Sequence, residues 1–174
     1  FFLLLDEDSC YHSDYIHLGI TPCASPKKYF LTMNEGLIKI ADVFNSKVVV
    51  AAHPRSNCKR RPDSFKFPII KNAKLIVAHG STAIQLAVLL RKPILLVTTD
   101  ELEKSWCSRT YSGWRSELKK SVINLDHLTK SADLVASSVV DESLYNAYIN
   151  NYVKQNKTPM KRAWTIIIED LEND

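Results

Sequence analysis

Glycine is scarce, with four in 174 residues, so each one present carries information. No two cysteines form a CxxC pair; Cys10, Cys23, Cys58 and Cys107 are scattered, which argues against a zinc ribbon or a thioredoxin-like motif. No apolar run reaches the length of a membrane span, and no low-complexity stretch or internal repeat interrupts the chain. Neither sign of charge dominates: the formal balance is +4, which admits anionic ligands such as nucleotide phosphates but argues for neither nucleic acid nor a membrane surface as partner. What remains is an ordinary globular composition, 45% apolar and 24% charged, long enough to bury a real core.

The chain opens on "FFLLLDED", with no initiator Met and no leading cap. Five apolar residues followed by three acids make neither a signal peptide nor a span. The expectation is a piece of a longer two-domain protein, entering at a strand, soluble and cytoplasmic or held at the inner face of the membrane. The cysteines read as four reduced, unrelated thiols. A zinc site from Cys10, His12, His17 and Cys23 has suitable ligand types, but its spacing fits no common pattern.

Residues 1–6, "KVVVAAHP", "KLIVAHG" and "PILLVTT" read as four buried strands, with "VINLD" a short fifth. Between them, "KKYFLTMNEGLIKIADVFN" and "STAIQLAVLLRK" read as helices, and "PIIKNA" as a short helix or turn. "DSCYHSDYIHLGITPCASP" and "DELEKSWCSRTYSGW" read as irregular, "RSELKKS" as a helical turn, and "DESLYNAYINNYVKQ" and "KRAWTIIIEDLEND" as closing helices. Continuous Val/Ile/Leu strands alternating with helices indicate a parallel sheet covered on both faces. The expected fold is therefore a single Rossmann-like three-layer α/β/α domain over residues 1–174. In such folds ligands bind outside the carboxyl ends of the strands, at a switch in strand order.

Those ends are all polar: Asp6-Glu7-Asp8-Ser9, His53-Pro54-Arg55-Ser56, His79-Gly80-Ser81-Thr82 and Thr98-Thr99-Asp100-Glu101. At the third, Ser81 or Thr82 is expected to cap the next helix, and Gly80 to admit a ligand or a positive φ. On its own the turn reads first as plain helix capping, with a phosphate cradle as the alternative. "AHPRS" at 52–56 tilts the balance, since it too ends a strand in histidine and adds the Arg55 fork. Both histidines are expected in one cleft. The basic run at 59–61 reads as a solvated loop, and the aromatic segment around Trp106 and Trp114 as a lid, an acceptor surface or a wrap over the sheet edge.

"FFLLLDED", "VVVAAHPRS" and "LIVAHGSTAIQLAVLLRKPILLVTTDEL", in this order, resemble the C-terminal half of bacterial surface-carbohydrate biosynthesis proteins, which are similar to two-domain (GT-B) glycosyltransferases. The resemblance covers roughly residues 1–105. The His-Pro turn followed by a Ser/Thr turn also resembles the paired motifs of bacterial sialyl- and polysialyltransferases, in which the histidine and the hydroxyls hold the phosphate of a CMP-sugar. The resemblance implies that His53, Ser81 and Thr82 grip the phosphate. The wider donor-binding set comprises Arg55, His79, Gly80 and Glu101, and the donor is a CMP- or UDP-linked sugar. It implies no metal and no cofactor, a carbohydrate acceptor as partner, and an upstream domain of the same chain that completes the cleft.

Glycosyl transfer needs an acceptor base, for which Asp6 and Asp8 are the candidates in this piece. Their alternative role is to cap a turn. Asp6-Glu7-Asp8 is also a literal DxD, the metal-holding motif of single-domain (GT-A) enzymes, but almost nothing precedes it where a nucleotide-binding half should stand. A nucleotide-sugar 2-epimerase of the same fold and a non-catalytic binding or scaffold domain remain the alternatives.

Overall fold

The apolar runs become strands because each alternates its side chains between two faces that are both covered. In the computed structural model, which describes residues 1–53, 56, 67–154, 158 and 161–172, strands β1 (Phe2–Leu5), β2 (Val48–Ala51), β3 (Leu75–Ala78), β4 (Ile94–Thr98) and β5 (Val122–Asn124) form one sheet of order β2-β1-β3-β4-β5. Every pairing is parallel. Phe2, Leu4, Val77 and Val97 point to one face, where α2 (Pro26–Val43) packs through Tyr29, Met33, Leu37 and Ile40. Leu3, Leu5, Ile76 and Leu96 point to the other, under α3 (Phe67–Asn72), α4 (Ile84–Leu89) and α8 (Glu142–Tyr148). The result is the expected Rossmann-like α/β/α arrangement. Among the described residues no helix is long and apolar enough to cross a membrane.

Two segments read as irregular are helical. α1 (Ser13–Leu18) forms inside the turn-rich stretch after β1 because His12 caps it: its ring Nδ1 accepts the Asp14 backbone N–H at 3.2 Å. The aromatic segment holds α5 (Asp100–Lys104), capped by Thr99, and α6 (Ser108–Leu118). Its polar surface hid the period, since Tyr111 and Leu118 are the only side chains of α6 that are fully buried. α7 (Ser131–Ser137) and α9 (Ala163–Glu172) complete the helices, and a π-helical turn, Ile149–Val153, continues α8.

The expectation of four reduced thiols is corrected. Cys23, ahead of α2, and Cys107, ahead of α6, are joined as a disulfide, their Cα atoms 6.0 Å apart. Cys10 is buried and takes no part in the disulfide, and Cys58 lies outside the described residues. The zinc alternative loses Cys23 with this bond, and among the described residues no three His, Cys, Asp or Glu side chains group as metal ligands. The bond ties positions 84 residues apart, so it restricts the unfolded chain strongly. Cys23→Ser is expected to lower unfolding free energy by about 2–4 kcal/mol. Denaturant titration in the absence of reductant measures this, with peptide mapping to find the 23–107 link.

Candidate functional site

Strand register decides what meets at the carboxyl edge. Leu5 of β1 is level with Ala51 of β2 on one side and with Ala78 of β3 on the other. Two residues beyond that level come Glu7, His53 and Gly80. The chain leaves β1 for β2 on one side and returns as β3 on the other, so this is the switch point of the sheet, where a crevice opens.

Two hollows flank it. One, of about 350 Å³, lies against α4 and is largely apolar, with Leu5, Ala52 and Leu86 beside Asp6 and Gln85. The other, of about 300 Å³, opens on the opposite side and is richer in polar groups: Glu7, His12, Asp14, Tyr15, Thr110 and the rim residue Trp106. His53, Ser81 and Thr82 line both and form the wall between them. These three are the expected phosphate residues that the fold brings together.

The remaining candidates separate. His79 is 2% exposed and lies one residue past the common level, so it faces α2 rather than the crevice. Its Nδ1–H donates to the Val97 carbonyl at 2.8 Å, and Nε2 accepts the Tyr29 hydroxyl at 2.9 Å. Both nitrogens are used, and burial holds its pKa below the ordinary value. Glu101 accepts the hydroxyl and backbone N–H of Ser25 at 2.7 and 3.3 Å, tying α5 to the start of α2. Asp8 adopts φ 54° and accepts the backbone N–H groups of Tyr11 and His12, so it builds the turn into α1. Asp6 is buried at the foot of the apolar hollow. Arg55 and the basic run at 59–61 lie outside the described residues.

Gly80 has another reason to be glycine than the one expected. It is not among the positive-φ residues; instead, a Cβ there would meet Thr110 Oγ1 at 2.6 Å and its Cβ at 3.0 Å. Its carbonyl also accepts the Trp114 indole N–H at 3.1 Å, which makes Trp114 part of the wrap over the sheet edge. The expected cap at Ser81 or Thr82 is not the one formed: Ala83 holds the N-cap position, and Ser81 Oγ accepts the Ala83 N–H at 3.3 Å. α4 has six residues, too few for a long helix dipole at its N-terminus.

The group that sequence reasoning passed over is Glu7. Reading Asp6-Glu7-Asp8 as a DxD skipped the middle residue, which the chain leaving β1 brings to the polar hollow. Burial pushes its carboxyl up to about 7; the Gly80 backbone N–H pulls the other way, and the Asp6 charge adds to the rise. A carboxyl half-ionised near neutrality, at the edge of a crevice, has the properties of a general acid or base.

Compared with known proteins, the chain matches no family model, no curated protein and no solved structure. Its reading therefore rests on its own geometry. Glu7 binds its proton more tightly folded than unfolded, where the carboxyl lies near 4.5, so its ionisation opposes folding as pH rises from 4.5 through 7. Glu7→Gln is expected to leave stability unchanged at pH 4 and to raise it at pH 8 by on the order of 2–3 kcal/mol. Urea titrations at both pH values measure the difference.

Proposed function

We propose that this domain is the nucleotide-sugar-binding half of a metal-independent glycosyltransferase of the two-domain kind, acting in bacterial surface-polysaccharide synthesis. The observation that carries the reading is the convergence of His53, Ser81 and Thr82 on one wall, with Glu7 facing the polar hollow beside it. The apolar hollow suits the nucleoside, the wall suits the phosphate, and the polar hollow suits the sugar and the attacking hydroxyl. The resemblance of the His-Pro and Ser/Thr turns to those of sialyl- and polysialyltransferases points to a CMP-linked donor, with UDP as the other candidate.

In the transfer, the bond from the anomeric carbon to the phosphate oxygen breaks, and its electron pair leaves with the nucleotide. The new charge falls on oxygen held by the His53 ring and the Ser81 and Thr82 hydroxyls, with Arg55 added by the resemblance. The acceptor hydroxyl bonds to the anomeric carbon and gives its proton to Glu7. Glu7 thus takes the role first expected of Asp6 or Asp8: Asp8 builds the turn into α1, and Asp6 lies at the foot of the apolar hollow, away from the polar one. An upstream domain of the same protein would close the crevice and present the carbohydrate acceptor.

The proposed cytoplasmic setting and the Cys23–Cys107 bond make opposing demands, because disulfides are rare in reducing compartments.

Calorimetric titration with CMP, UDP and their sugar conjugates tests the reading. At least one is expected to bind, and His53→Ala and Ser81→Ala are each expected to weaken it about tenfold, roughly 1.4 kcal/mol. Absence of binding by all of them, or unchanged affinity in both variants, contradicts it.

A further inference from the structure

The turn that Asp8 builds returns the chain so that His12 stands against the phosphate wall. Its ring centroid lies 4.6 Å from that of His53, with the planes inclined at 60°. Both rings line the polar hollow together with Ser81 and Thr82. Nothing in the sequence motifs singles out His12 for this place, because it belongs to neither paired turn.

Resting on the functional reading above, we infer that His12 is a second phosphate-binding imidazole, which clamps the donor's phosphate against His53, Ser81 and Thr82. The local geometry gives the ring a partner in either protonation state. Neutral, its Nδ1 accepts the Asp14 backbone N–H at 3.2 Å, so its proton sits on Nε2, a donor. Protonated, Nδ1–H faces the Asp14 carboxylate, 3.6 Å away, and Nε2 remains a donor. Changing charge therefore exchanges one Asp14 contact for another.

Two imidazoles this close repel when both are charged, and an anion held between them reverses that penalty. The other ionisable groups around His12 are Asp14 and Tyr15 on its own helix, and Glu7, Asp8 and Cys10 on the turn from β1. Of these, Glu7 would repel an anion most directly, and its raised pKa leaves it largely neutral below pH 7. A phosphate held between the rings therefore favours their charged forms.

The test uses His12→Asn, because asparagine keeps the helix cap while removing the titrating ring. CMP affinity of the wild type and the variant is measured from pH 5.5 to 8.5, so that the nucleotide's own ionisation is common to both. The expected result is a loss of about tenfold at pH 6 that shrinks toward pH 8, with the slope of log Kd against pH reduced by up to one proton. Circular dichroism checks that the variant is folded. An unchanged slope in a folded variant overturns the assignment of His12 while leaving His53→Ala to test the site itself. Failure of the wild type to bind CMP at any pH overturns the assignment together with the reading beneath it.

Discussion

β1 is the constraint on which the rest of the molecule depends. Its four residues are buried, pair with β2 on one side and β3 on the other, and feed side chains to both core faces. Because β1 lies between β2 and β3, the chain must leave to one side and return on the other, and the crevice follows from that reversal. Because Leu5, Ala51 and Ala78 end level, three different loops deliver Glu7, His53 and Gly80 to one place. A slip of one residue in any of these pairings would turn that strand's side chains to the opposite face.

Polar groups near this edge divide by whether they line the crevice. His79, Glu101 and Asp8 are engaged in bonds that hold elements together. Asp126 does the same further along the sheet, accepting the Thr32 hydroxyl and the Asp100 backbone N–H at 2.9 and 2.8 Å. Lys120 is buried with its ammonium donating to the Ser137 and Val139 carbonyls at 2.9 and 2.8 Å, and burial lowers its pKa. Such groups are oriented by satisfaction of buried donors and acceptors. His53, Ser81, Thr82, Glu7 and His12, with Asp6 at the foot of the apolar hollow, line the open volume instead, and the proposed chemistry is placed there.

The layered parallel fold was legible in the sequence because Val/Ile/Leu runs of strand length bury both faces. The polar edge was legible too, as four strand ends rich in hydrogen-bonding residues. What misled was the likeness of "AHPRS" to "AHGST". Matching the two by eye equates His53 with His79, whereas the ladder sets Ala51, not Ala52, level with Ala78. His53 therefore falls two residues past the common level and His79 only one, which sends His79 into the core. The place of Glu7 was not legible, because it depends on the path of the chain beyond the end of β1. The Cys23–Cys107 contact was not legible, because it depends on how α5 and α6 fold over the start of α2.

The reading of this edge as a phosphate site is tested most directly by following individual residues as a nucleotide binds. Titration of isotope-labelled protein with CMP, observed by amide and imidazole NMR, is expected to shift the Gly80, Ser81 and Thr82 amides and the His53 ring resonances, while signals at the opposite end of the sheet, around Lys120 and Ser121, stay in place. Shifts confined to that opposite end, or none anywhere at millimolar CMP, would contradict the account.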